Sequence, residues 1–199
     1  MAFMAFPLFL DLTGRRCAVV GMGVEADRKA ELLRRAGAVV SRSTAFDPDL
    51  HCNVTILIVV GLSTDLAAKA SAAAQAHGVL VNVVDQPSLC GFTMPAVVER
   101  APVVIAISTS GVAPVLAKAL RIALDRVLPA RLGDLAALVG RFRKLVCRRI
   151  ENANARWQFW CRVFTGEVAR EIALGRPAER ALLEELDRFA YKTETRDAA

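Results

Sequence analysis

Hydrophobic positions in the first half of the chain fall into short continuous runs, and the stretches between them repeat with helical period. Leu12 to Val20 predicts a first strand, opened by the Thr13-Gly14 turn and ending in R-R-C-A-V-V. Ala26 to Ala36 then carries a helical pattern, and Gly37 to Ser41 a second strand. Val54 to Val60 is continuously apolar, the mark of a parallel strand buried on both faces. Asp65 to Ala76 predicts an alanine-rich helix, ended by His77-Gly78 with glycine as its cap. Val79 to Val84 is a fourth run, rich in β-branched residues and interrupted only by Asn82. Strand, helix, strand, strand, helix, strand predicts a doubly wound α/β sheet of four parallel strands that ends near Pro95.

Beyond Pro95 the texture changes. Val103 to Ile107 predicts a fifth strand, followed by S-T-S-G-V-A-P and a helix over Val115 to Leu128. Leu132 to Ile150 and Ala155 to Leu174 are amphipathic helices, and Pro177 to Phe189 a third. Trp157, Phe159, Trp160 and Phe164 cluster at helical spacing, which points to core or subunit contact and not to a cofactor box. From Lys192 a frayed tail is expected.

Composition narrows the class. Hydrophobic residues make up 54% of 199, which excludes a disordered chain, yet no apolar run approaches a membrane span. The N-terminal M-A-F-M-A-F-P-L-F-L lacks a basic segment ahead of it and meets Asp11 at once, so it reads as a strand-like lead-in and not a signal peptide. Five scattered cysteines without a C-x-x-C pair, beside two histidines, argue for reduced thiols in a cytoplasmic protein and against a structural metal site. The net charge of +6 concentrates in Arg141, Arg143, Lys144, Arg148 and Arg149. A solvated helix face accounts for that cluster, and no nucleic-acid recognition motif accompanies it.

The chemistry-bearing residues sit where strands end. Gly21-Met22-Gly23-Val24-Glu25-Ala26 is a G-x-G-x-x-A turn between strand and helix. Gly21 suits the tight turn, Gly23 lets the backbone approach a pyrophosphate, and Ala26 allows close helix packing. The helix N-terminus would offer amide N–H groups to the phosphates, which makes Gly21 to Glu25 the candidate dinucleotide cradle. After the second strand, where an acid would hold the adenosine ribose, stand Ser41 and Arg42, so the choice between NAD and NADP stays open. Asp85 ends the fourth strand and Pro87 prevents its continuation. The carboxyl end of a strand is where open α/β sheets bind ligands, although an aspartate before Gln-Pro-Ser also suits an ordinary turn. Ser108, Thr109, Ser110 and Gly111 precede a helix and form either an anion cradle or a simple N-cap.

Taken together, these motifs resemble the precorrin-2 dehydrogenase/sirohydrochlorin ferrochelatase family, the N-terminal module of bacterial siroheme synthases and its stand-alone relatives. The resemblance is carried by P-L-F-L-D-L-x-G-R-x-C-x-V-V-G from Pro7, A-x-R-K-A-x-L-L-x-x-A-G-A from Ala26, V-N-V-V-D-x-P-x-x-x-x-F-x-M-P-A from Val81 and I-S-T-S-G-x-A-P-V-L-A from Ile107. R-W-x-F-W at Arg156 to Trp160 sits where the family has a similar aromatic pair. The resemblance implies a shortened Rossmann-like domain over residues 1–95, a dimerisation region over 96–128, a helical domain over 129–191 and a flexible tail over 192–199. It implies oxidation of precorrin-2 to sirohydrochlorin with NAD, and in many members insertion of ferrous iron, in a homodimer. Asp85 takes the place of the family's general base. Asn82, Phe92, Met94 and Pro95, with Ser108 to Gly111, match the tetrapyrrole pocket, and no resident metal is implied.

Three departures from the family pattern all fall on the cofactor side. Met22 replaces the middle of three glycines. V-G-L-S at Val60 to Ser63 replaces an A-T-D-D-like turn, with Ala67 at a following asparagine position. Between Leu50 and Val54 roughly twenty residues are missing, the length of a strand and its connections. That strand is an edge in the usual 3-2-1-4-5 order, so its loss leaves a contiguous sheet. Weak NAD affinity is therefore expected. An NAD-independent chelatase and a non-enzymatic tetrapyrrole-binding dimer stand as the alternative readings.

Overall fold

A computed structural model describes residues 5–197, with side chains through residue 191. The chain forms two compact units: residues up to Pro95 together with Ser108–Pro114, and Ala96–Ile107 together with the chain from Val115 onward.

The first unit is the doubly wound sheet. Strands β1 (Arg16–Val20), β2 (Val39–Ser43), β3 (Ile56–Val59) and β4 (Leu80–Val83) pair in parallel in the order β2-β1-β3-β4. The continuous apolar runs are explained by burial on both sides. Ile56 and Ile58 join the core with Ala26, Ala30 and Leu33 of helix α1 (Val24–Arg35), while Leu57 and Val59 join the opposite core with Ala67, Ala70 and Ala74 of α3 (Thr64–Ala76). Alanine dominates the packed faces of both helices because it allows helix and sheet to approach closely. In α1, acidic Glu25 and Asp27 in the first turn and basic Arg34 and Arg35 in the last complement the macrodipole. Gly37, at φ +87°, takes the left-handed position that ends it.

The connection from β2 to β3 is short. Where the sequence reading noted a missing strand's length, the chain has only α2 (Pro48–His51), a single turn that the reading did not anticipate. As a result β2 is the edge of the sheet among the described residues. The residues from Ala5 to Asp11 are irregular, not strand-like, and the first four residues of that lead-in lie outside the described residues.

The second unit begins with an unforeseen hairpin. β5 (Ala96–Arg100) pairs antiparallel with β6 (Val103–Ile107), so the predicted fifth strand belongs to a separate two-stranded sheet. Helix α4 (Pro114–Val127) follows, with Ala117 as its buried residue, while Val115, Leu116, Leu120 and Val127 lie exposed. Arg100 ties the end of β5 to α4 through Asp125, at 3.0 Å to its carboxylate and 3.0 Å to its carbonyl.

The remaining helices are α5 (Leu132–Arg149), α6 (Ala153–Thr165), α7 (Glu167–Ala173) and α8 (Glu179–Asp197). Leu138, Val146, Phe159, Val163, Leu182 and Leu186 form their core. The stretch Ala155 to Leu174, read as one helix, is two: Gly166 leaves helical geometry, and a side chain there would press on the Arg162 carbonyl. Of the aromatic cluster, Phe159 is fully buried and Trp160 packs beside it, whereas Trp157 is 67% exposed. Helix α8 continues through Lys192 to Asp197, past the point where a tail was expected, and residues 198–199 of that tail lie outside the described residues. The basic cluster is partly paired, Arg141 with Glu179 at 2.7 Å and Arg149 with Asp187 at 2.6 Å, and both pairs link α5 to α8. Among the described residues no helix is long and apolar enough to cross a membrane.

Gly133 shows how tightly this unit is packed. A Cβ at this position in α5 would collide with the carbonyl oxygens of Arg100 and Ala101 in the hairpin turn. Gly133→Ala should therefore destabilise the protein by about 1–3 kcal/mol or more, the range of overpacking, despite alanine's better helix propensity. Urea denaturation of the variant beside Gly140→Ala checks this, because a Cβ at Gly140 meets open space.

Candidate functional site

The site is built on the carboxyl edge of the first unit's sheet. The chain leaves β1 outward to β2 and then returns to β3 on the other side, which makes the end of β1 the topological switch point where such sheets bind ligands. Gly21 stands there at φ +124°, and the space its side chain would fill belongs to the Val60 carbonyl. Gly23 follows at φ +88° with open space where a side chain would be. It is the N-cap of α1 and supplies no side-chain cap, so the first amides of that helix are left for a ligand. An uncapped helix start above an open glycine is what a pyrophosphate requires, and the residues present fit a dinucleotide there. Met22 is 71% exposed. Val24 is also exposed, and Glu25 pairs with Lys29 at 3.2 Å.

Arg42 is brought to the same turn. Its Nη2 donates to the Gly21 carbonyl at 3.2 Å, and Nη1 lies 3.0 Å from the Asp27 carboxylate without hydrogen-bond alignment, leaving a buried donor unsatisfied. The guanidinium thus lies folded onto the glycine turn. Ser41 donates to the Cys17 carbonyl at 3.4 Å. Ser43 and His51 fill the place beyond β2. The Asp47 N–H donates to His51 Nδ1 at 2.8 Å, which puts the ring proton on Nε2, 3.1 Å from Ser43 Oγ, and Ser43 in turn donates to the Ala45 carbonyl at 3.0 Å. His51 is buried and stacks on Phe46. This histidine, one of the two in the sequence, organises the β2–β3 connection, a role the sequence reading did not foresee.

Asp85 follows β4 and adopts φ +64°, the left-handed region that aspartate tolerates better than most residues. Its carboxylate is exposed and, among the described residues, accepts no hydrogen bond and joins no ion pair. Asn82 is committed to the fold: its Nδ2 donates to the Phe92 carbonyl at 3.0 Å. Phe92 and Met94 pack partly against the α1-side core, and Pro95 is exposed. In the Ser108–Pro114 segment, which belongs to this same unit, Thr109 Oγ1 accepts from the Ala113 N–H at 3.2 Å and Ser108 Oγ accepts from the Ser110 N–H at 3.1 Å. Both bonds lie ahead of α4, which begins at Pro114, so the two hydroxyls brace the turn and do not cap the helix, and their protons are left to donate. Ser110 and Gly111, at φ +52° and +79°, form the bend between them.

Three residues the sequence reading passed over act here. Asp27 meets Arg42, while Cys90 and Ser71 hold the loop after Asp85. Ser71 was detectable as the lone hydroxyl on a buried alanine face. Among the described residues no cluster of potential metal ligands occurs. Burial pushes the Cys17 thiol above its ordinary range, in keeping with a packing role in β1.

Known proteins with this pattern fall into one group. Residues 8–50 and 39–96 match a family described as "Putative NAD(P)-binding", in two segments that overlap over residues 39–50. Residues 131–186 match the sirohaem synthase dimerisation region, a stretch the sequence reading assigned to the helical domain. The siroheme synthase of Pseudomonas paraeruginosa (strain DSM 24068 / PA7) is 40% identical over 204 positions, covering 90% of this chain and 43% of that protein. Siroheme synthase 2 of Yersinia pestis (strain Pestoides F) is 40% identical over 194 positions, covering 87% of this chain and 41% of that protein. The chain therefore spans less than half the length of these relatives. A solved structure of SirC, a precorrin-2 dehydrogenase, shares the fold with a TM-score of 0.64 at 20% identity, covering 92% of this chain and 100% of that one.

The two glycines of the turn should behave differently. Gly21→Ala is expected to cost more than about 3 kcal/mol of stability, since it adds a collision with Val60 to left-handed strain. Gly23→Ala should cost only about 1–3 kcal/mol from strain, and should weaken dinucleotide binding by at least about tenfold. Thermal melts and a dinucleotide titration of both variants check the contrast.

Proposed function

The chain belongs to the family of the siroheme synthase N-terminal module, and we propose that it oxidises precorrin-2 to sirohydrochlorin with NAD. The observation that carries this reading is a free carboxylate at the end of β4, two strands from an uncapped glycine turn at the end of β1. Ordinary strand spacing puts those two ends about 10 Å apart, within the span of one dinucleotide. Gly21, Gly23 and the first amides of α1 would hold the pyrophosphate. When bound, NAD supplies the ring that accepts hydride.

The chain's own contribution is proton handling and orientation. Oxidation of precorrin-2 removes a hydride and a proton, and Asp85 accepts that proton. Its carboxylate is exposed and, among the described residues, has no competing hydrogen-bond or ion-pair partner, which leaves it free to do so. The hydroxyls of Ser108 and Thr109, with the amide of Gly111, suit the carboxylate arms of a tetrapyrrole, and Ser110 shapes the bend between them. Phe92, Met94 and Pro95 form the apolar border of that pocket. Ferrous iron is the substrate of a second step in this reading. Asp85 would then take the pyrrole protons that the metal displaces.

A chelatase that has lost the dinucleotide is the second reading. It is favoured by the missing strand outside β2 and by the Arg42 guanidinium lying on the turn. Titration with NAD and NADP beside sirohydrochlorin separates the two: binding of sirohydrochlorin and iron insertion without any dinucleotide binding would select the chelatase. All five cysteines are free, which supports a reducing, cytoplasmic setting.

We also read the working form as a homodimer in which Ala96 to Leu128 shares the contact with the matched dimerisation region. A two-stranded sheet is marginal alone, and α4 carries exposed apolar residues along most of its length. Sedimentation at micromolar concentration should give a dimer; a monomer would remove this reading.

For the catalytic acid, Asp85→Asn keeps the shape and tolerates the left-handed backbone. It should lower kcat for precorrin-2 oxidation by about 10²–10⁴-fold while leaving the melting temperature and assembly unchanged. Steady-state kinetics beside a melt measures both, and undiminished turnover would take Asp85 out of the mechanism.

A further inference from the structure

The chain beyond Asp85 doubles back along the outer edge of β4, which has no strand neighbour on that side. The Gly91 N–H donates to the Val81 carbonyl at 2.8 Å, and Asn82 Nδ2 reaches the Phe92 carbonyl at 3.0 Å. Between these contacts Val83 presents an N–H that another strand would normally satisfy, and a C=O that accepts from the Gln86 N–H at 3.3 Å across the Asp85 turn. The Cys90 thiol stands in their path. Val83 N–H donates to its Sγ at 3.2 Å, and Sγ lies 3.3 Å from the Val83 carbonyl and 3.4 Å from that of Gln86. Asn82 Nδ2 approaches the same sulfur at 3.6 Å. One side chain thus serves both backbone groups of the residue two before Asp85, and touches the residue directly after it.

The residue before Cys90 is held from the other direction. Ser71, buried in α3, donates to the Leu89 carbonyl at 2.6 Å, and Gln75 donates to that carbonyl at 3.2 Å and to Ser71 at 2.7 Å. A left-handed aspartate persists only where its surroundings fix it. Asp85 makes no side-chain contact of its own that would do so; its turn is closed by the Gln86 N–H on the Val83 carbonyl at 3.3 Å, and the Cys90 thiol braces the carbonyls of both those residues.

We propose that Cys90 is a positioning residue for Asp85: its thiol closes the edge of β4 and sets the turn that aims the carboxylate. This rests on the role proposed for Asp85 above. Its chemistry is neutral hydrogen bonding, with the thiol as donor and acceptor, so serine should substitute in part and alanine should not.

The test uses the full chain carrying Cys90→Ala, Cys90→Ser or, as a distant control, Cys161→Ala. Cys90→Ala should lower kcat by about ten- to a hundred-fold, the scale of a small misplacement of a reacting group. KM for dinucleotide and tetrapyrrole should stay within about twofold, because binding contacts are untouched. Cys90→Ser should recover most of the loss, and Cys161→Ala should match wild type. Wild-type kcat in Cys90→Ala, or an equal loss in Cys90→Ser, overturns the proposal. Should the alanine variant not fold, Cys90→Val keeps volume without the polar contacts and takes its place. If the wild-type protein turns over no precorrin-2, the functional reading fails by itself. Amide hydrogen exchange then decides the present one: faster exchange at Val83 and a shifted Asp85 amide resonance in Cys90→Ala support it, and unchanged signals overturn it.

Discussion

Everything at the carboxyl edge of the first unit depends on how much is packed around one residue without a side chain. The Gly21 N–H donates to the Ser43 carbonyl at 2.9 Å, its carbonyl accepts from Arg42, and the Val60 carbonyl occupies the volume of its absent Cβ. Three strand ends therefore converge on a single peptide unit. Backbone approach of that kind is available only to glycine, and it fixes where β2 and β3 stop relative to β1. The open turn at Gly23 and the uncapped start of α1 follow from this anchoring, since the chain must rise from the crowded residue straight into a helix. The first half of the glycine motif is structural, and the second half is where a ligand can approach.

How much of this was legible in the sequence follows from what each residue must satisfy. Strands β1 to β4 could be read because burial on both faces demands continuous apolar runs, and Ile56 to Val59 serves two cores at once. The hairpin strand Ala96–Arg100 could not, because A-V-V-E-R is short and half buried and its partner is set by the turn that follows. The break at Gly166 was hidden by apolar periodicity that continues across it. Gly21, Gly23 and Asp85 were visible because each solves a backbone problem at a strand end.

The supporting residues were not visible in the same way. Arg42 could be read only as a ribose-side or surface residue, and its engagement with Gly21 and Asp27 depends on register between β1 and β2. Asn82, expected in the pocket, spends its amide on the returning chain. Cys90 stood among the unassigned positions of the motif from Val81, because a thiol's partners are backbone groups that no spacing rule marks. The family pattern pointed to the surface of the site and said little about the layer beneath it.

The chain's path between the units has a consequence for how such a module can be divided. It leaves the first unit at Pro95, builds the β5–β6 hairpin in the second, and returns with Ser108–Pro114 before departing again at Val115. A single cut at Pro95 would release all four parallel strands and Asp85, yet leave the hydroxyl-bearing loop on the other fragment. No one boundary therefore separates an intact first unit from the rest. A chain threaded in this way cannot be parted in its middle by a single cut that leaves the first unit whole.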